Sequence, residues 1–318
     1  MTSTRTAPSQ ASPRRAPAAP LALVGPTASG KTEASVELAS RLGAEILLVD
    51  SMTVYLGMDI GTAKPAPTER RGVPHHLVDV ADPSQPFSVA EFQRLARAAI
   101  ADVESRGRAP LLVGGSGLYF RAVVDDLEFP GTDPRLRRDV EAEAAALGSE
   151  GLHARLAAFD PAAAARMEPT NLRRIVRALE VAALTGRPFS SFASGWDRYP
   201  GDRVRAAGIM VPPEALRARI DERARGMLEN GLLEETEGLL KGGAGPLLTA
   251  SQAIGYAEAA EHLAGRIGLE EALETIVRRT KGLARRQMAW FTRDPRIRWF
   301  EAGSAMDVVD EIEEHYRT

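Results

Sequence analysis

Short, wholly apolar runs recur through the first third of the chain: Leu21-Ala22-Leu23-Val24, Ile46-Leu47-Leu48-Val49 and Leu111-Leu112-Val113. Runs this short with no polar alternation predict strands covered on both faces, as in a parallel sheet flanked by helices. Between the first two, Ala34, Leu38 and Leu42 recur at spacing four and predict a helix over Glu33 to Leu42. Each run gives way to small or polar residues: the segment 25–32, then Asp50-Ser51, then Gly114-Gly115-Ser116-Gly117. Ligands of open parallel sheets sit beyond the carboxyl ends of the strands, so these three segments are expected at one crevice.

Further along, the pattern changes. From about Asp125 to Asp197 it is helical throughout and rich in Arg and Ala, opening at Pro130-Gly131-Thr132-Asp133-Pro134. The run Ala206 to Val211 then reads as another strand. The helical block is therefore expected as an insertion over 125–200, and a doubly flanked α/β core is expected over 21–124 and 201–318. Helices are expected at about 213–240, 252–264 and 269–293. A Gly- and Pro-rich connection from Gly57 to Pro86 is long enough to predict a functional segment or a lid.

Composition narrows the classes. The chain has 318 residues, enough for one large or two ordinary domains, and a net charge of −3 that argues neither for nor against a polyanion partner. With no cysteine, disulfides and thiolate zinc sites are excluded, and the five histidines show no metal-ligand spacing. No run approaches the roughly 18 apolar residues of a membrane span. Residues 1–20 carry Arg5, Arg14 and Arg15, four prolines and no acid. They predict a disordered tail rather than a transit peptide, because no amphipathic helix is present. A cytoplasmic monomer is the expectation.

Candidate chemistry begins at Gly25-Pro26-Thr27-Ala28-Ser29-Gly30-Lys31-Thr32, which matches G-x-x-x-x-G-K-[ST] between a strand and a helix. Such a loop wraps a di- or triphosphate in backbone N–H groups at a helix N-terminus. The motif alone does not say whether the phosphate belongs to ATP, GTP or another diphosphate ester. Asp50 ends a buried strand and reads as a magnesium ligand, as a general base, or as a cap shared with Ser51. Arg173, Arg174 and Arg177 lie on a helix whose apolar stripe includes Leu172, Ile175, Val176 and Leu179. They read equally as phosphate contacts or as a solvated face with an Arg177–Glu180 pair. The stretch Arg278 to Arg293 holds six basic residues, including Arg285 and Arg286, and no acid, with Gln287, Trp290 and Phe291 interleaved. A one-signed run favours a polyanion, although Phe291 belongs to the stripe that packs inward. Together these features predict an enzyme that couples a diphosphate substrate to a nucleic acid. The alternative is a small-molecule or nucleoside kinase that uses the same loop on ATP. A second alternative, a non-catalytic RNA-binding GTPase or ATPase, would be expected to carry an N/T-K-x-D-like guanine signature, which the sequence lacks.

The phosphate loop, Asp50-Ser51-Met52, Tyr55 and Gly57-Met58-Asp59-Ile60-Gly61-Thr62-Ala63-Lys64-Pro65 resemble the tRNA dimethylallyltransferase family. Pro74-His75-His76-Leu77-Val78-Asp79, Val113-Gly114-Gly115-Ser116-Gly117-Leu118-Tyr119, Ala253-Ile254-Gly255-Tyr256 and Arg285-Arg286-Gln287 carry the resemblance onward to about residue 300. It implies a P-loop fold and transfer of a dimethylallyl group from dimethylallyl diphosphate to N6 of adenine 37 in tRNA. It further implies that Gly25 to Thr32 hold the diphosphate, with Lys31 neutralising it, Thr32 helping Mg²⁺ and Thr27 touching the substrate. Asp50 would accept the N6 proton. Asp50 to Thr53 (Asp50, Ser51, Met52, Thr53) and Ser116 would line the flipped adenine. Arg137, the stretch Arg173-Arg174-Ile175-Val176-Arg177, Gln252, Gly255, Tyr256, Arg285, Arg286 and Gln287 would hold the anticodon stem-loop. Ser116 stands where the family usually has Thr, and the absence of cysteine matches the bacterial form without a zinc finger. Prenyl transfer to free AMP or ADP is a further possibility within this chemistry, against which the arginine-rich insertion argues.

Overall fold

A computed structural model describes residues 19–193, 195–243, 250 and 253–318. The predicted tail lies almost wholly outside the described residues, as does Gln252. The described chain runs β1 (Leu21–Val24), α1 (Lys31–Leu42), β2 (Ala44–Leu48), β3 (His75–His76), α2 (Val89–Ser105), β4 (Ala109–Gly114), α3 (Gly117–Val124), α4 (Pro134–Phe159), α5 (Pro161–Ala164), α6 (Leu172–Thr185), β5 (Arg205–Met210), α7 (Pro213–Glu229), α8 (Leu232–Lys241), α9 (Tyr256–Leu263), α10 (Leu269–Phe291), β6 (Ile297–Glu301) and α11 (Val309–Arg317). Contacts divide the described residues into two compact units, one drawn from 19–86, 95–117 and 201–318, the other from 87–94 and 118–200.

The first unit is built on a six-stranded sheet in the order β3-β2-β4-β1-β5-β6. Every pairing is parallel, with Leu21 level with Leu111 on one side and Arg205 on the other. The apolar runs form its interior because both faces are covered: β1 is buried along its whole length. Strand order reverses about β1, so the crevice beyond its carboxyl end is where a ligand is expected. One core layer packs α1 and α11 against the sheet, and the Tyr316 hydroxyl donates to the Ala22 carbonyl at 2.6 Å, tying the last helix to β1.

Several elements differ from the sequence reading. Strand β6 is an addition to the sequence reading: an edge strand in which exposed Arg298 and Glu301 interrupt buried Ile297 and Phe300, it presents neither a wholly apolar run nor a clean alternation. The two-residue β3 is too short to leave a pattern. The helix expected over 213–240 is two helices, broken at Gly231, whose φ of +97° no continuing helix accommodates. Helix α9 starts at Tyr256, four residues later than expected. On α10 the inward stripe is Ala272, Ile276, Ala284, Gln287 and Phe291, so a polar side chain sits in it.

The second unit is a helical packing of α4, α5 and α6 around Val140, Leu152, Leu156, Ile175, Val176 and Leu179. Asp160 caps α5 by accepting from the Ala163 N–H at 3.0 Å and also accepts from Ser190 at 2.7 Å. Helix α6 starts at the Asn171 cap and stops at Gly186.

Candidate active site

The segment 25–32 joins β1 to α1, with Gly30 as the helix N-cap at φ +85°. Lys31 turns back over its own loop, donating to the Pro26 carbonyl at 2.6 Å. Thr32 is exposed in the first turn of α1. Not all of the loop's N–H groups are available to a phosphate. Pro26 has none, and Thr27 N–H donates to Gln287 Oε1 on α10 at 2.8 Å. Gln287 thus ties α10 to the loop instead of standing on the surface, and a Cβ on Gly115 would come within 2.5 Å of its Nε2.

Two further groups meet the loop. Arg223 on α7 donates to Thr27 Oγ1 at 2.9 Å. Asp50, just past β2, accepts from the Met52 N–H at 2.8 Å and so shapes a turn rather than capping a helix. Burial, followed by the neighbouring Arg223 cation, lowers the Lys31 ammonium to about 7, with Asp50 opposing the shift. Burial lowers Arg223 as well, again opposed by Asp50. Arginine nevertheless stays protonated. Two cations drawn together around one carboxylate and a ring of N–H donors form a site whose electrostatics favour a polyanion.

Thr27, Asp50 and Arg223 open into a cavity of about 590 Å³ lined also by Ser51 and Met52, by Gly61 and Thr62, and by faces of α7 and α10; Lys31 is not among its lining residues. Its α7 and α10 walls add apolar Ile220, Met227, Ile276 and Leu283, while Arg278, Arg279, Arg285 and Arg286 line the α10 side. The basic run is partly neutralised in place: Arg279 pairs with Glu258, and Lys281 with Asp221 at 2.7 Å. Arg285 and Arg286 are exposed.

Other predicted residues fall elsewhere. Ser116 follows β4 but is not among the residues lining the cavity, and Thr53 is 7 % exposed with a hydroxyl that has no partner among the described residues. Ile175 and Val176 belong to the core of the helical unit, so their side chains are not available to a nucleic acid. Arg137 and Arg177 both bind Glu180, at 2.8 and 2.9 Å, and Arg177 also donates to the Pro130 and Gly131 carbonyls. The Arg177–Glu180 pair left open by the sequence is therefore real. Arg173 and Arg174 are exposed on the same helix. Tyr256 is 3 % exposed and bonded inside the sheet unit, and Gly255 is the α9 N-cap, so neither presents a contact surface. Arg223 was missed by the sequence reading. Its only local signal was an arginine beside the apolar residues Ile220 and Ala224 on a helix rich in other arginines.

A family model described as IPP transferase matches residues 53–294. This chain belongs to that family. A tRNA dimethylallyltransferase from Thermobifida fusca is 52 % identical over 91 % of the chain and 92 % of its own length. The structure of a tRNA isopentenylpyrophosphate transferase from Bacillus halodurans superposes with a TM-score of 0.67 at 39 % identity, covering 95 % of this chain and 99 % of that one. A eukaryotic dimethylallyltransferase described as acting on tRNA gives a TM-score of 0.76 at 26 % identity, over 94 % of this chain and 77 % of that one. As a member of the IPP transferase family the chain is a prenyltransferase with a P-loop-type parallel sheet. Among its described residues no helix is long and apolar enough to cross a membrane.

Proposed function

We propose that this family member transfers the dimethylallyl group of dimethylallyl diphosphate to N6 of adenine 37 in tRNA, in the cytoplasm. The observation that carries the reading is the cavity in which Asp50 and Thr27 stand with Arg223, at the carboxyl ends of the parallel strands. The N–H groups at the start of α1 and Lys31 take the diphosphate, and Arg223 beside Thr27 adds a second positive charge where negative charge grows on the leaving group. Asp50 accepts the N6 proton as the N6–C1 bond forms and the C1–oxygen bond breaks, the bonding pair leaving with diphosphate. A positioned base is worth about 10²–10⁴-fold here, because the adenine amine is a poor nucleophile while it keeps its proton. Ser51 and Met52 lie beside Asp50 where the extruded base would rest, and unstacking a loop adenine costs only a few kcal/mol.

Among the described residues no group of three or more His, Asp or Glu forms a metal cage. Mg²⁺ needs none, since one or two protein oxygens plus substrate phosphates suffice. The exposed Thr32 hydroxyl fits that donor type, and Mg²⁺ held there would neutralise the diphosphate oxygens. Arg285 and Arg286 at the cavity, and Arg173 and Arg174 on α6, are the proposed contacts to the anticodon stem-loop.

Incubation with dimethylallyl diphosphate, Mg²⁺ and unmodified tRNA, followed by nucleoside mass spectrometry, is expected to yield N6-dimethylallyladenosine. Transfer of the ATP γ-phosphate to an acceptor, with the prenyl diphosphate left unused, would overturn the proposal in favour of a kinase.

A further inference from the structure

We propose that Glu235 and Tyr256 act as a positioning pair that fixes one wall of the base-binding cavity, an inference that rests on the prenyl-transfer reading above. Glu235 on α8 accepts from the Asp59 N–H at 3.2 Å and from the Ile60 N–H at 3.1 Å. The same carboxylate accepts from the Tyr256 hydroxyl, whose oxygen in turn accepts from the Gly61 N–H at 3.1 Å. Three successive backbone donors therefore end on one carboxylate–phenol pair. Sequence distance hides it: the partners lie 195 residues apart for Gly61 and Tyr256.

The contact is close enough to dictate residue type. A Cβ on Gly61 would run into the Tyr256 ring and meet Leu232 Cδ1 at 3.0 Å, so only glycine fits. Burial first, then the bond to Glu235, raises the Tyr256 phenol, which stays a neutral donor. The same segment is tied from its other side by Lys64. That side chain is 3 % exposed and bonds Asp59, Asp79 at 2.6 Å and the Tyr55 carbonyl at 2.9 Å. The Thr62 hydroxyl donates to the Met58 carbonyl at 2.6 Å. The long connection is thus pinned, and what it holds in place is Gly61 and Thr62, which share the cavity with Asp50, Ser51 and Met52. Neither Glu235 nor Tyr256 lines that cavity, so both act on the reaction through the wall.

Tyr256→Phe keeps the ring against Gly61 and removes only the hydroxyl; Glu235→Gln keeps the size and removes the charge. Prenylation by the wild-type chain tests the reaction itself, and its failure would sink that reading without touching the contacts described here. With an active wild type, the single-turnover rate per active site, at saturating substrates, is expected to fall about tenfold in either variant. The double variant should be little worse than the poorer single one. The tRNA dissociation constant and the KM for dimethylallyl diphosphate should stay within about twofold, because phosphate contacts dominate both. Hydrogen exchange at the amides of residues 59–61 should be slow in the wild type and quicken in Tyr256→Phe, with β1 and α10 peptides unchanged. A purely structural pair would lower the melting temperature and the active fraction but leave the rate per active site intact. That result, fast wild-type exchange at 59–61, or parallel losses of tRNA affinity and turnover would overturn the proposal. If Glu235→Gln does not fold, the milder Tyr256→Phe and the exchange measurement decide it.

Discussion

Arg177 and Arg223 are both partly buried arginines on helices with apolar faces, and the groups they meet set them apart. In the helical unit, Arg177 and Arg137 converge on Glu180, which is 0 % exposed, and Arg177 also closes off the carbonyls of Pro130 and Gly131. In the sheet unit, Arg223 has a threonine hydroxyl and a lysine for neighbours, and Asp50, the carboxylate that acts on both cations, lines the same cavity. An arginine that completes a buried ion pair with its own unit holds that unit together. An arginine packed beside another cation is held in a less favourable place, and an arriving anion relieves it. Like motifs in the sequence thus divide, by the sign of their neighbours, into a scaffold arginine and the arginine proposed to bind.

The largest expected effect tests the cavity side. Asp50→Asn keeps the shape and the turn but removes the basicity, so the single-turnover rate should drop by about 10² or more with tRNA and diphosphate affinities within a few-fold. A rate fully restored by excess Mg²⁺ would make Asp50 a metal ligand instead and would blur the contrast.

Next comes the scaffold side. Arg177→Met leaves the buried Glu180 with Arg137 and the Asp133 N–H, and should destabilise the helical unit by about 2–3 kcal/mol, below the roughly 3–5 kcal/mol of a wholly orphaned buried charge. Denaturant unfolding followed by a probe in that unit measures it. If stability is unchanged while tRNA affinity collapses, Arg177 belongs with the binding groups.

Arg286→Gln offers the mirror test. It should leave stability within about 0.5 kcal/mol and reduce the log–log salt slope of tRNA binding by about one. Arg174→Gln should do the same from the helical unit, and an unchanged slope there would confine the polyanion contacts to α10.

The smallest effect is a pH dependence at Lys31. With its pKa near 7 in the folded chain, the ammonium loses its proton as pH rises through that value, so affinity for inorganic diphosphate should weaken, by at most about tenfold per pH unit. Calorimetry in two buffers should show proton uptake on binding above pH 7. Between about 7 and the unfolded value of 10.5 the unfolded chain binds more protons at this position, so the Lys31 contribution to stability rises with pH. Lys31→Met should flatten both trends.

Local features were legible without the fold. The phosphate loop, the strands of the sheet centre and the helical block each lie within a few dozen contiguous residues, where periodicity and spacing carry the signal. The resemblance also pointed to the segment 57–65, and it implied that Tyr256 and Gln287 hold the anticodon stem-loop. In the fold, Gln287 holds the phosphate loop and Tyr256 holds Gly61. Ile175 and Val176 lie between arginines in sequence and inside a core in space, because alternate faces of one helix turn meet different media.

The sequence by itself determined which residue types are available: a G-x-x-x-x-G-K-[ST] loop on a parallel sheet, a carboxylate at a strand end and cations on two helices. Only the tertiary structure decided which cations serve the site. Arg223 reaches Thr27 across 196 residues and Gln287 reaches it across 260. Glu180 pairs with both Arg137 and Arg177 from its place in the helical unit. The physical reason is that a hydrogen-bond partner or a neighbouring charge acts through distance in space, and beyond a single element one chain's spacing does not encode that distance.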